Sequence, residues 1–289
     1  MPMIFGLNLP NYSRLGNRDS MIAIAERAEA LGYSSLWTSD HILVPKNRPE
    51  PFGNVLESFT TLAYLAARTE RIRLGTGILV LPQRNPLLVA KQAATVNHLS
   101  GGRLTLGVAV GYIEEEYAYL GADFANRGRL ADEYIAALRE LFESDAPDFH
   151  GEHVSFTDAL FSPRPRVPIP IVVGGSSPGA LKRAAQLGDG WYGLRLSPES
   201  AGAAIVTMAD LGHRENFALS LRVQTRVGGT IADAEPEATL HGDVGAIVEQ
   251  VNRYGAAGVQ HLVIEPVSND LQDFLDQIER FAGEVVPGA

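Results

Sequence analysis

Cysteine is absent from the 289 residues of this chain. Its absence excludes disulfides, thiolate nucleophiles and thiolate-held metals, and leaves the cellular compartment undecided. Lysine is scarce: Lys46, Lys91 and Lys182 are all there is. None of them falls at the end of an apolar run, where imine-forming chemistry would need it. Positive charge is in deficit, with 24 Lys and Arg against 34 Asp and Glu, a formal charge of −10. A chain of that sign is poorly suited to nucleic acid or to an anionic membrane surface. Long hydrophobic runs are missing as well, none reaching the roughly 18 residues of a membrane span. Residues 1–16 carry neither the basic nor the apolar region of a secretory signal. The expectation is a cytoplasmic protein that meets a small-molecule substrate, with no nucleic-acid or membrane partner.

What the chain does contain is one unit used repeatedly: an Ala-rich helical segment, a glycine, then a short apolar run. Residues 19–31 read as a helix with Asp19 or Ser20 as N-cap and Gly32 as its stop, and a strand follows at 34–39. Strand-like runs lie at 4–9, 34–39, 72–79, 104–110, 169–173, 190–194, 219–227 and 260–265. Helical segments lie at about 19–31, 57–69, 86–99, 127–144, 178–187, 198–212, 244–254 and 270–282. Eight strands alternating with eight helices predict an α/β fold, a parallel (β/α)8 TIM barrel in a single domain over 1–289. A doubly wound open sheet is the competing arrangement, but LPNYSRLGNRD, after the first strand, lacks the G-x-G-x-x-G turn. Two connections exceed ordinary turns: 41–57 after the second strand, and the Pro-rich 149–168 between the fourth and fifth. Both read as lid-type insertions.

Ligands of parallel barrels bind at the C-terminal strand ends, so chemistry is sought there. The second strand runs into TSDHILVP. Alternation puts Asp40 and His41 on opposite faces, so both cannot point into a regular barrel: either the strand ends between them or one orients the mouth from outside. The third carries GTGILVLP, where Gly75, Thr76 and Gly77 imply a bulge, a close approach to a flat ligand, or tight packing. The fourth ends at Gly111 with Tyr112 at the mouth, and the acidic run 114–116 reads as the solvated first turn of a helix. After the fifth comes VVGGSSPGALKRAA. Gly174 and Gly175 leave the backbone uncovered, Ser176 and Ser177 are caps, and Pro178 suits a first helical turn, a candidate phosphate cradle. No metal centre is expected, since His150 and His153 have no second pair at metal-binding spacing.

Taken together, FGLNLP, ALGYSSLWTSDH, RIRLGTGIL, NPLLVAKQAATVNHLSGGRLTLGVAVGY, RGRLADEYIAALRELF, PRPRVPIPIVVGG and AAQLGDGWY run in order from residue 5 to about 192. They resemble the bacterial-luciferase-like superfamily of flavin- and deazaflavin-dependent oxidoreductases, and within it the F420-dependent branch. HLSGGRLTLGVAVG is the most specific stretch, and the last third is less distinctive. The resemblance implies a cofactor ring in the barrel mouth with a non-proline cis peptide at Gly77–Ile78 beneath it. It implies phosphate contacts from Gly174, Gly175, Ser176 and Ser177, and cofactor contacts from Asp40, Thr76 and Gly111. The cofactor implied is F420, with FMN the alternative. The reaction implied is hydride transfer between that cofactor and a small organic substrate, with His41 stabilising charge or moving a proton. Related sugar-phosphate dehydrogenases carry a Glu after the strand-4 glycine. Tyr112 stands there in this chain, which argues against that reaction; Tyr112 either donates a proton or walls the pocket. The acidic tail of F420 asks for a basic path, for which Arg127, Arg129, Lys182 and Arg183 are candidates. The alternatives are an FMNH2-dependent two-component monooxygenase, which needs a flavin reductase partner, and a non-catalytic flavin-binding protein. A homodimer is compatible with the resemblance.

Overall fold

The computed structural model describes residues 3–48, 51–232 and 235–289. In chain order the strands are β1 (Ile4–Leu9), β2 (Ser35–Thr38), β3 (Arg73–Thr76), β4 (Leu79–Val80), β5 (Leu104–Ala109), β6 (Phe149–His150), β7 (Ser155–Phe156), β8 (Ile171–Gly174), β9 (Gly190–Leu194), β10 (Ala218–Val227), β11 (Thr239–Gly242) and β12 (His261–Pro266). The helices are α1 (Arg18–Ala30), α2 (Ser58–Ala66), α3 (Pro86–Leu99), α4 (Glu114–Leu120), α5 (Arg127–Glu143), α6 (Pro178–Leu187), α7 (Pro198–Leu211), α8 (Val244–Ala256) and α9 (Leu271–Arg280). Strand pairing runs β1, β2, β3, β5, β8, β9, β10, β12 and returns to β1, parallel throughout. Eight strands thus close the expected (β/α)8 barrel. Among the described residues no helix is long and apolar enough to cross a membrane.

Strand periodicity sorts the side chains into two layers. Along β1, Phe5, Leu7 and Leu9 join the apolar layer between sheet and helices, together with Leu36, Leu74, Leu106 and Ile264. Gly6 and Asn8 face the barrel axis instead. The axis holds a small apolar plug of Trp37, Val172, Tyr192 and Val263. Gly75 makes room for it, because a Cβ there would lie 2.5 Å from the Trp37 ring. Below the plug, His261 is enclosed by hydroxyls: Ser220 lies 3.0 Å from Nδ1, and Ser35 lies 3.0 Å from Nε2. Burial lowers this imidazole to a pKa of about 4, so it is neutral at pH 7.

The structure departs from the sequence reading at several points. Asn17 caps α1, its side chain accepting from the Ser20 amide at 3.1 Å, while Asp19 and Ser20 lie inside the first turn. The cap falls there because Asn17 is the last residue with extended backbone. The third strand breaks into β3 and β4 at a cis peptide between Gly77 and Ile78. The acidic run 114–116 opens a separate helix, α4. The β6–β7 hairpin and β11 were not anticipated, being too short to leave a periodic signal. The Pro-rich segment packs on the barrel helices. Its backbone at His153 and Val154 donates to Glu133 of α5, Lys91 of α3 lies over Phe161, and Asn97 donates to the Val167 carbonyl. It is therefore bound to the outer flank of α3 and α5, away from the mouth.

Candidate functional site

A cavity of about 450 Å³ opens at the C-terminal end of the barrel. Volumes of a few hundred Å³ suit small-molecule and cofactor sites. Its apolar floor is made by Ile78, Val80, Ala109 and Val110, on the strands that flank the bulge. The bulge is held from three sides. The Gly77 amide donates to the Thr38 carbonyl at 2.8 Å. The Val80 amide donates to Asp40 Oδ2 at 2.9 Å, and Arg222 Nη1 reaches the Gly77 carbonyl at 3.4 Å.

β2 ends at Thr38, which frees both Asp40 and His41 to face the cavity. They do different work. Asp40 is buried and paired with Arg84 at 2.7 Å. Burial pushes its carboxyl above the usual aspartate value, while Arg84 and the Val80 amide pull it down. Its role is to fix the backbone under the floor. His41 turns the other way, its Nδ1 lying 3.0 Å from Glu116 Oε2. Glu116 Oε1 also accepts from the backbone amides of Ile42 at 2.6 Å and Leu43 at 3.3 Å. Burial would raise the Glu116 carboxyl, but these donors outweigh it and hold its pKa below the usual range. An ionised carboxylate only accepts, so Nδ1 of His41 donates. In its neutral form the imidazole then keeps Nε2 as an acceptor, which has no partner among the described residues. Phe52, from the 41–57 loop, packs tilted against the ring at 4.3 Å between centroids.

Glu116 was missed in the sequence because it stands in an acidic run, which read as solvated. The run does open a helix, but the third residue of it turns inward and is 1% exposed. Only tertiary contact with the β2 loop marks it.

At the opposite side of the cavity, Gly174 ends β8, and Gly175, with φ +111°, turns the chain into α6. A Cβ on Gly174 would lie 2.9 Å from Ile78 Cγ2, so the glycine keeps the floor open. Ser177 caps α6 by accepting from the Ala180 amide, and the first intrahelical bond is Leu181 to Ser177 at 3.0 Å. Pro178 has no N–H and the Ala180 amide is held by the Ser177 hydroxyl, so within the first turn only the Gly179 amide is without a partner among the described residues, at the positive end of the helix dipole, which suits an anion. The run GSSPG at 175–179 matches the spacing of a hydrolase nucleophile turn, but the Ser177 hydroxyl serves as the cap and meets no imidazole among the described residues.

The cavity thus gathers Asp40, His41, Gly77 and Ile78 with Gly111, Tyr112, Gly174, Gly175 and Ser177. Two expected residues stand apart. Thr76 is fully buried, and its hydroxyl is spent on the Gly107 backbone, donating at 2.6 Å and accepting at 2.9 Å. Its hydroxyl joins β3 to β5 and does not line the cavity. Ser176 is exposed beside the mouth without lining it. Tyr112 is 66% exposed, its ring edge-on to His41 at 6.1 Å. The expected basic path is partly consumed: Arg183 pairs with Asp132 and donates to the Gly128 carbonyl, and Arg127 lies over the Phe124 ring. The cations that do line the cavity are Arg195 and Arg222, which the sequence left unmarked.

The profile of the luciferase-like monooxygenase family matches residues 4–272, and the chain belongs to that family. An uncharacterised protein of Mycobacterium tuberculosis is 41% identical over 183 residues, covering 59% of this chain and 63% of its own length. An F420-dependent glucose-6-phosphate dehydrogenase of Amycolatopsis mediterranei is 29% identical, over 95% of both chains. A pyrimidine monooxygenase of Methylobacterium radiotolerans is 34% identical over 82% of this chain and 64% of its own. Among solved structures, an F420-dependent secondary alcohol dehydrogenase holding an F420–acetone adduct superposes with a TM-score of 0.84 at 19% identity, over 100% of this chain and 99% of that one. The oxygenating component of 3,6-diketocamphane monooxygenase from Pseudomonas putida, with FMN, gives 0.78 at 16% identity, over 99% and 98%. The structural likenesses bear on the fold, while the sequence relatives include both deazaflavin-dependent dehydrogenases and monooxygenases.

Proposed function

We propose that this chain is an oxidoreductase that transfers hydride between coenzyme F420 and a small organic substrate at the barrel mouth. The observation that carries the reading is the cavity itself. It has an apolar floor for a flat ring, an anion-seeking helix end on one side, and a carboxylate-oriented imidazole on the other. The residues fit the cofactor: Gly174 and Gly175 leave space that side chains would fill, and the Gly179 amide at the start of α6 offers a donor to its phosphate. Such a deazaflavin supplies a two-electron carrier that gives or takes hydride.

The protein's own part is positioning and proton handling. The Gly77–Val80 floor supports the ring from below. The Gly174–Ser177 turn holds the phosphate end. His41 Nε2 accepts the proton of a substrate hydroxyl as it is oxidised, or returns a proton to a carbonyl as it is reduced. Glu116 keeps that imidazole in the required tautomer and orientation. Tyr112, more exposed, walls the entrance. The full-length F420-dependent relative supports the choice of F420 over FMN.

The second reading, an FMNH2-dependent monooxygenase served by a separate reductase, is favoured by the pyrimidine monooxygenase relative. Equilibrium binding of F420 and of FMN to the purified apoprotein, followed by fluorescence, separates the two. Tight F420 with weak FMN binding, and turnover without oxygen, is the expected result. Tight FMN binding with oxygen consumption puts the monooxygenase first, and binding of neither overturns both.

A further inference from the structure

One wall of the cavity is not used by the cofactor reading. It is built from Tyr192 of β9, Arg195 just beyond it and Arg222 of β10. The Tyr192 hydroxyl is buried, its residue only 2% exposed, and has no hydrogen-bond partner among the described residues. A buried donor without a partner is uncommon and expensive. It lies at the bulge: a Cβ built on Gly77 would come within 2.8 Å of it. Arg222 is saturated. It donates to Glu265 at 2.7 and 3.0 Å, to Tyr12 at 3.2 Å and to Ser39 at 3.1 Å. Arg195 is not saturated. Its Nη2 reaches Glu265 at 3.1 Å, while Nε and Nη1 have no partner among the described residues.

The backbone at Arg195 is unusual too. Its φ is +49°, in the left-handed region that non-glycine residues seldom occupy. That turn breaks the strand alternation and swings the guanidinium back over the barrel to Glu265, instead of outward to solvent. Two arginines share a single carboxylate here, so the wall carries a net positive charge facing the cavity. The cofactor's phosphate is already served by α6, and the ring by the floor below Ile78. The wall remains for the other reactant.

We propose that this wall binds an acidic group of the substrate. A carboxylate or comparable oxyanion docks on the free donors of Arg195, and the Tyr192 hydroxyl donates to an oxygen of the bound molecule deeper in the same wall. The substrate class is then a small organic acid, held with its reacting carbon toward His41. The guanidinium geometry suits a planar carboxylate, which takes two parallel hydrogen bonds. This inference rests on the function proposed above only for its statement of which space the cofactor fills.

Benzoate and its neutral isostere benzamide test it, titrated by calorimetry into the apoprotein and into the F420-loaded protein. Wild type is expected to bind benzoate more tightly than benzamide in both states. Arg195→Gln is expected to weaken benzoate roughly 10- to 100-fold, to leave benzamide unchanged, and to leave F420 affinity unchanged. Tyr192→Phe is expected to weaken benzoate several-fold without lowering the melting temperature. Equal binding of the two probes, no binding of benzoate, or unchanged benzoate affinity in Arg195→Gln overturns the proposal. Another carboxylate source is the acidic tail of F420. If Arg195→Gln weakens F420 and spares benzoate, the guanidinium serves that tail and the substrate assignment falls. A protein that binds neither F420 nor FMN but still prefers benzoate sinks the cofactor reading alone.

Discussion

At the scale of single residues, the pairing of Glu116 with His41 decides what the imidazole can do. Removing the ring by His41→Ala is expected to lower kcat by about 10²- to 10⁴-fold, the usual span for a positioned acid–base group. Cofactor affinity and melting temperature are expected to stay near wild type; normal turnover would remove His41 from the reaction. Glu116→Gln tests positioning. It is expected to lower kcat by roughly tenfold with cofactor affinity unchanged, because the imidazole loses the carboxylate that orients it. A variant with unaltered kcat would reduce Glu116 to a latch for the Ile42 and Leu43 amides. His261 answers a different question. Its folded pKa of about 4 lies below the 6.5 of the free side chain. Between those values the unfolded chain binds a proton that the folded one does not. Stability therefore falls as pH drops from 6.5 toward 4, by about 3 kcal/mol at most. Urea unfolding at pH 7 and pH 4.5 checks this, and His261→Gln is expected to flatten the dependence.

At the scale of elements, the turn from β8 into α6 is the part most open to a clean test. Gly174→Val puts a branched side chain where a single Cβ already stands 2.9 Å from Ile78. Loss of cofactor affinity by tenfold or more is expected, read by fluorescence titration. If affinity holds, the phosphate end lies elsewhere. Helix caps act on stability instead. Asn17→Ala removes the side-chain acceptor at the start of α1 and is expected to destabilise the fold by about 1 kcal/mol, with unchanged cofactor binding. The two long connections separate at this scale. The 41–57 loop brings His41 and Phe52 to the mouth, whereas the Pro-rich segment is tied along α3 and α5. In the sequence both were simply long.

At the scale of the whole molecule, the site depends on ion pairs between residues far apart in the chain. Asp40 and Arg84 join the end of β2 to the turn before α3, and Arg222 with Glu265 joins β10 to β12. Breaking one member leaves the other buried and unpaired. Arg84→Ala is expected to destabilise the protein by about 3 kcal/mol and to weaken cofactor binding, since Asp40 would no longer hold Val80 in place. Thermal unfolding together with F420 titration reads both effects. A stable variant with normal binding would show that water replaces the guanidinium without loss.

The sequence by itself determined the barrel, because alternating apolar runs and capped helices are local patterns that each segment declares alone. It also determined the glycine turn after the fifth barrel strand and the strand-end place of Asp40 and His41, since both follow from position along the chain. Tertiary structure decided the partners. Glu116 is an acid like its neighbours until α4 packs against the β2 loop. Thr76 is a rim hydroxyl until β5 takes both its hydrogen bonds. Arg195 and Arg222 are two arginines among many until closure of the sheet puts them on one carboxylate. Burial, and the pairing that burial demands, are properties of the closed barrel and leave no periodic trace in the order of residues.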